Sequence, residues 1–289
     1  MSYFNFYIFI FFLNFIFIFA EFVPPQRLGH ASVLVDKKLY IYSGFDGTDY
    51  LSDFFYLDVS QNFTMKALPW NDLTFTGIFA NIDASMCSGG SNNDLILFSV
   101  WTDVRNGGNQ PTGRVSFSCA KFSNGSIAIF AGFVNNANDR ENDLWIFDSL
   151  ALTWSLNNAP NAPADFWGYC AITLPDNTIL YIGGNFFGIN LPLNSLPLFD
   201  STSNTWKNLN TTGPTPLGRH DFSAVLTSGK RIIIFGGYGD TSSLGDLWIL
   251  DIATYQWSAG TILNPNGLIL NGHTANLVDN YMIVAFDKI

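Results

Sequence analysis

Ile234-Phe-Gly-Gly237, followed by Leu250-Asp251 and Trp257, is one copy of a unit that returns along the chain. A second copy reads Tyr181-Ile-Gly-Gly184, Phe199-Asp200 and Trp206. Between the two, the second glycine moves 53 positions (184 to 237), and the Asp and the Trp each move 51 (200 to 251, 206 to 257). A third copy, Phe130-Ala-Gly132 with Phe147-Asp148 and Trp154, precedes the second by 52 positions at all three markers (132 to 184, 148 to 200, 154 to 206). The first copy is looser, with Tyr42-Ser-Gly44, Leu57-Asp58 and Met65 in the Trp place.

Each marker has a physical reason. Runs such as Arg231-Ile-Ile-Ile-Phe235 and Ile127-Ala-Ile-Phe130 are short, rich in β-formers and bounded by turn residues, which predicts buried strands. The glycines Gly44, Gly132, Gly183, Gly184, Gly236 and Gly237 let the chain leave the strand end through backbone angles closed to other residues. Trp154, Trp206 and Trp257 suit packing between adjacent sheets, because one Trp buries roughly 150–250 Å². These residues read as structural repeat markers.

A period near 50 built from short apolar runs and glycine turns is the signature of a propeller blade. Period and motif resemble the kelch-repeat family, including secreted kelch proteins similar to the propeller domain of galactose oxidase. The expected fold is an all-β kelch-type propeller.

The spacing also measures what is missing. Gly44 to Gly132 is 88 residues (132 − 44), well short of two periods. Ser85-Met-Cys-Ser and Asp94-Leu-Ile-Leu-Phe-Ser99 begin a second unit, but Val100 to Arg114 stands where two later strands belong. His273 to Val278 and Tyr281 to Phe286 begin a sixth unit, with Asp287-Lys-Ile289 where glycines should stand. The expectation is four full blades and two incomplete ones in an imperfectly closed or truncated ring. The repeats run approximately 27–65, 66–113 (short), 114–160, 161–213, 214–263 and 264–289 (partial), inside one domain over 21–289. The gaps also suit an incomplete gene product with no independent function.

Tyr3 to Ala20 is nearly continuous aromatic and aliphatic. Residues 1–20 read as a signal peptide, with an uncleaved signal anchor as the alternative, so a membrane enters only through that anchor. The expected location is secreted or extracellular, or else membrane-anchored and extracytoplasmic. Export gives meaning to three sequons, at Asn62, Asn124 and Asn210, each placed in an expected turn or loop. The formal charge of −10 has no basic run in it, which disfavours nucleic acid as a partner.

Counting back from the glycine motif puts Cys87, Cys119 and Cys170 at one equivalent position, shared with Ala31 and Ser223. Equivalent points on neighbouring blades are expected to lie beyond disulfide reach, which predicts buried free thiols. Free thiols sit uneasily with export.

Chemistry is sparse. The resemblance brings in galactose-oxidase-like copper radical oxidases as an alternative, degenerate in this chain. Copper needs converging imidazoles, whereas His30, His220 and His273 fall in different units. There is no phosphate loop, no paired metal-binding cysteines and no nucleophile elbow. Asn135 to Asp143 is rich in oxygen donors but lacks the ordered spacing of a calcium loop. No catalytic residue, cofactor or metal is expected.

What remains is a display surface. Loops on a rigid scaffold are where binding residues gather. The candidates follow the glycine motif: Asp46 and Tyr50, Asn135, Asn185 with Phe186 and Phe187, and Tyr238 with Asp240. Aromatics beside Asn and Asp suit a protein or a carbohydrate. Arg27, Arg114 and Arg219 recur before the opening strand of their units and are expected to hydrogen-bond between blades. The expected function is a non-enzymatic extracellular scaffold that binds an unknown protein or glycan.

Overall fold

The computed structural model describes residues 22–64, 67–75, 80–90, 94–98, 110–134, 142–261 and 267–286. The leader, Met65, Asn135 and the final three residues lie outside them. Six blades of antiparallel strands follow one another along the chain. The first holds β1 (Ala31–Val35), β2 (Lys38–Tyr42), β3 (Phe54–Asp58) and β4 (Trp70–Asp72) in that order. The second has β5 (Ser85–Gly89) and β6 (Asp94–Phe98). The third is built from β7 (Cys119–Lys121), β8 (Ile127–Phe130), β9 (Leu144–Asp148) and β10 (Thr153–Asn157). The fourth contains β11 (Cys170–Thr173) and β12 (Thr178–Ile182), a small hairpin of β13 (Asn185–Phe186) and β14 (Ile189–Asn190), then β15 (Ser195–Asp200) and β16 (Thr205–Asn210). The fifth comprises β17 (Ser223–Leu226), β18 (Arg231–Phe235), β19 (Leu247–Asp251) and β20 (Gln256–Ala259). The sixth ends the series with β21 (Thr274–Val278) and β22 (Tyr281–Ala285). This is the propeller that the repeats predict: four full blades, and two that show only their first two strands among the described residues.

The first strands line the axis. β1, β5, β7, β11, β17 and β21 abut in that order, and β21 abuts β1. Just before each of them stands a residue in the left-handed region: Gly29, Asp83, Ser116, Gly168, Asp221 and Gly272, with φ of 53–67°. Their main chains form a circuit. Gly29 N–H donates to Gly272 O, Asp83 to Gly29, Ser116 to Asp83, Gly168 to Ser116, Asp221 to Gly168 and Gly272 to Asp221, over 2.7–2.9 Å. The six first strands thus meet around the axis, while the second and sixth blades show only two strands each among the described residues.

The sequence markers find local causes. Asp148 Oδ1 accepts from the amides of Leu150 and Ala151 at 2.9 Å each, and Asp200 and Asp251 hold the same turn in their blades. An aspartate there closes the third strand into the fourth by an Asx turn. Trp206 of the fourth blade packs on Phe130 of the third, with ring centroids 4.8 Å apart. Trp257 is fully buried and donates its indole N–H to Leu193 O of the preceding blade at 3.0 Å. Trp206 and Trp257 thus each join their blade to the one before it.

Three expectations are corrected. In the first blade the Trp place belongs to Trp70, which pairs with Leu57 as Trp154 pairs with Phe147. β3 ends at Asp58 and β4 begins only at Trp70, whereas β9 ends at Asp148 and β10 begins at Thr153, so the usual spacing of six from Asp58 falls at Thr64, beside Met65 and short of Trp70. The arginines fork within their own repeats. Arg219 forks onto Asp246 at 2.7 and 3.1 Å and donates to Gly236 O at 3.0 Å. Arg27 makes the same contacts with Asp53 and Ser43 O, and Arg114 with Asp143 and Ala131 O. In the fourth blade Phe166 and Ser195 stand where the others have Arg and Asp, an apolar solution to the same corner.

The cysteines are the third correction. Cys87 and Cys119 are disulfide-bonded across adjacent blades, with their Cα atoms 6.3 Å apart, inside the range a disulfide accepts. Only Cys170 is free. Counted from the left-handed residues, Cys170 comes second, Cys119 third and Cys87 fourth, so the three are not equivalent. The first hairpin turns at Asp36–Lys37 and the third over 122–126, and counting back from glycine slips the register by that difference.

Candidate functional site

The axis opens onto the face that carries the glycine loops. Four short backbone bridges surround the opening: Leu28 with Phe45, Val115 with Phe133, Trp167 with Asn185, and His220 with Tyr238. Each ties the residue before a left-handed position to the first residue after a glycine motif, so the loops are anchored where they begin. The carboxylates of the circuit lean over its glycines. A Cβ on Gly29 would lie 2.5 Å from Asp83 Oδ1, and one on Gly168 would lie 2.7 Å from Asp221 Oδ1. Asp83 and Asp221 occupy the second and fifth of six places and thus stand across the mouth from one another.

Burial, and then the charge of Asp83, push the Asp221 carboxyl up to about 7. Its side chain still keeps 34% of its exposure, so water screens part of that effect. Burial also raises Asp83, offset in part by a hydrogen bond from Ser116. Below the mouth a cavity of about 190 Å³ is lined by His30, Ser85, Cys119, Cys170, Ser223 and Thr274 among others. Burial, then the charge of Asp221, push the Cys170 thiol up to about 12, so it is not a nucleophile at neutral pH.

The three histidines are spoken for separately. His30 Nε2 lies 2.8 Å from Thr274 Oγ1, and His273 Nε2 lies 2.8 Å from Ser223 Oγ. Burial first, then nearby positive charge, lowers His30 to about 3, and burial lowers His273 to about 4. His220 sits on the face, with Nδ1 2.7 Å from Asn190 Oδ1. Among the described residues no group of three His, Cys, Asp or Glu side chains is placed to hold a metal.

The loop residues chosen from sequence differ in their work. Asp46 Oδ1 accepts from the amides of Thr48 and Asp49 at 2.7 and 2.8 Å, bonds that hold its carboxyl below the usual range. Asn185 is buried, and its Oδ1 accepts from Gly188 N at 2.7 Å, which shapes the small hairpin. That hairpin projects Phe187, 61% exposed, beside half-buried Phe186. Tyr50 is exposed against Phe45. Asp240 meets Asn190 Nδ2 at 3.4 Å.

Composition of the loops alone did not reveal how some of these residues meet. Trp167 and His220 pack edge to face at 4.9 Å, His220 lies 5.6 Å from Tyr238, and Phe133 lies 6.3 Å from Trp167. The four form an arc over the third, fourth and fifth blades, with Phe133 and Tyr238 exposed and the other two half-buried. Trp167 and His220 precede the circuit and not the glycines; the signal for them was the bulky residue directly before Gly168 and Asp221. The sequons Asn62 and Asn124 lie exposed, the first in the connection after β3 and the second in a turn, whereas Asn210 is the last residue of β16, also exposed.

Comparison with known proteins agrees with this architecture. The family profile described as the KLHDC2/KLHL20/DRC7 Kelch-repeats domain matches residues 85–285, and the Kelch motif matches residues 26–62. Kelch domain-containing protein 3 of Bos taurus is 26% identical over 281 residues, covering 84% of this chain and 72% of that protein. Acyl-CoA-binding domain-containing proteins 4 and 5 of Arabidopsis thaliana are each 23% identical, over 81% and 90% of this chain. The chain spans only about a third of those two plant proteins (31% and 36%). With the family profile matching over more than half of its length and six repeats about one axis, the chain belongs to the kelch-repeat β-propeller family.

Proposed function

We propose that the chain is a non-enzymatic scaffold that binds a protein through the face bearing the glycine loops. The observation that carries this is the arc Phe133, Trp167, His220 and Tyr238, held on backbone bridges around the mouth. Aromatics with a polar tip on a rigid frame lose little entropy on binding and dominate interface energies. The nearest chemistry, at Cys170 and the two inner histidines, is committed to neutral, buried contacts. A carbohydrate ligand would also use ring faces, but the apolar neighbours Phe187 and Ile189 (61% and 68% exposed) favour a protein surface.

The scaffold works outside the cytoplasm in this reading. The apolar leader supports it, and so does the Cys87–Cys119 disulfide, since such bonds persist in oxidising compartments. A tagged chain recovered from the medium with its N-terminus near residue 21 is the expected result, and retention in the cytosol with the full leader would refute it.

Binding is tested by affinity capture with three forms of the full chain. Capture by wild type and by Leu150→Ser/Leu152→Ser on the opposite face, lost with Trp167→Ser/Tyr238→Ser, is the expected pattern. Partners retained equally by the last form would place recognition elsewhere.

A further inference from the structure

Among the described residues, charge is sorted between the two faces of the propeller. Among the described residues, Lys37, Lys38, Lys121, Lys230 and Arg231 all lie at the turn between the first and second strands of their blades, away from the glycine loops. Lys207 meets Asp200 at 3.7 Å at that same end. Arg27, Arg114 and Arg219 are buried and forked onto their own aspartates. The loop face carries Asp46, Asp49, Asp83, Asp221 and Asp240, and its exposed rings include Tyr50, Phe133, Phe187 and Tyr238.

Two independent features thus coincide on one surface: exposed aromatic faces, and carboxylates with no Lys or Arg among the described residues to offset them outside the forks. Ring faces attract cations through their quadrupole, and a surface of one sign steers partners of the other. We infer that the loop face docks a Lys- or Arg-bearing extended segment of a protein partner, with one cationic side chain directed between Asp83 and Asp221 and its flanks on the Trp167–His220–Tyr238 arc. The mouth is narrow, ringed by six backbone positions and backed by a cavity of about 190 Å³, which suits one side chain and not a folded domain. His220 Nε2, 3.7 Å from Asp221 Oδ2, leaves the pair acidic because burial keeps that imidazole neutral.

This inference rests on the scaffold reading, and the experiment separates the two. A random dodecapeptide phage library is selected on the immobilised full chain, on Asp83→Asn/Asp221→Asn, and on Trp167→Ser/Tyr238→Ser. The expected wild-type winners share a Lys or Arg. As synthetic peptides they should bind the carboxamide form at least tenfold more weakly, and a Lys→Gln exchange in the peptide should cost a similar factor. Their affinity for wild type should also fall as salt rises. Neutral or acidic winners lost on the arc variant would overturn the inference while leaving the scaffold reading intact. Winners indifferent to both variants would sink both. Thermal melts of the variants guard against misfolding, and the salt series on wild type decides the matter if either variant fails to fold.

Discussion

Gly29 and Gly272 join the first repeat to the last: the amide of Gly29 donates to the carbonyl of Gly272 over 2.8 Å. The junction is reinforced by Asn276 Nδ2 donating to Ser32 Oγ at 2.7 Å and by Phe286, stacked on Trp70 at 5.6 Å and within 5.3 Å of the Arg27 guanidinium. Phe286→Ala should therefore lower global stability and not merely fray the end of the chain. A half-buried Phe is expected to cost roughly 2 kcal/mol, below the range for a fully buried one. Urea unfolding followed by tryptophan fluorescence checks it, and an unchanged midpoint would mean the seam carries little load.

The Arg–Asp forks predict a non-additive pair. Arg114→Phe alone takes the cationic partner from Asp143, 15% exposed and still bonded by the Trp145 indole N–H, and should cost about 3 kcal/mol. Adding Asp143→Ser reproduces the Phe166 and Ser195 arrangement of the fourth blade and should recover at least half of that loss. A double-mutant cycle by chemical denaturation measures the coupling.

Asp221 predicts a pH-dependent difference. Its carboxyl is raised from 3.8 to about 7, so the native state holds the proton more tightly than the unfolded chain does. The penalty for ionising it is absent below about 3.8 and complete above 7. Asp221→Asn should thus melt higher than wild type at pH 8, with the gap closing as pH falls toward 4. Asp83 across the mouth and His220 beside it share this environment and are left in place. A gap that is constant from pH 4 to 8 would mean the carboxyl titrates normally.

The cysteines predict a thiol count. Denatured without reductant, the chain should show one reactive thiol, that of Cys170, and after reduction three. Cys87→Ser/Cys119→Ser should lose about 2–4 kcal/mol, the usual contribution of a cross-link between distant residues. Three thiols without reductant would disprove the bond.

The sequence was most legible where backbone geometry leaves few choices. Gly183-Gly184 and Gly236-Gly237 mark left-handed turns, and Asp148, Asp200 and Asp251 mark Asx turns, so both kinds of position recur as the same residue. The circuit at the axis was not legible although its backbone repeats six times. Glycine adopts its angle freely and aspartate does so occasionally, and Ser116 takes it as well, so three residue types hide one conformation. The disulfide and Trp70 were misread for a different reason. Each lies beyond a hairpin or turn of changed length, where a fixed ruler slips, and a slip of one residue turns a strand side chain to the other face. The arc on the loop face was half legible: its members after the glycines were named, whereas Trp167 and His220 come from the preceding connection and meet Phe133 and Tyr238 only in three dimensions.

Six amides, one per repeat, set how many sheets surround the axis. None of those amides belongs to a third or fourth strand. The molecule is in this respect a wheel whose number of spokes is written at the axle, and the length of a spoke is a separate variable. The hold of the repeats on one another at the axis is therefore separate from how far each sheet extends outward.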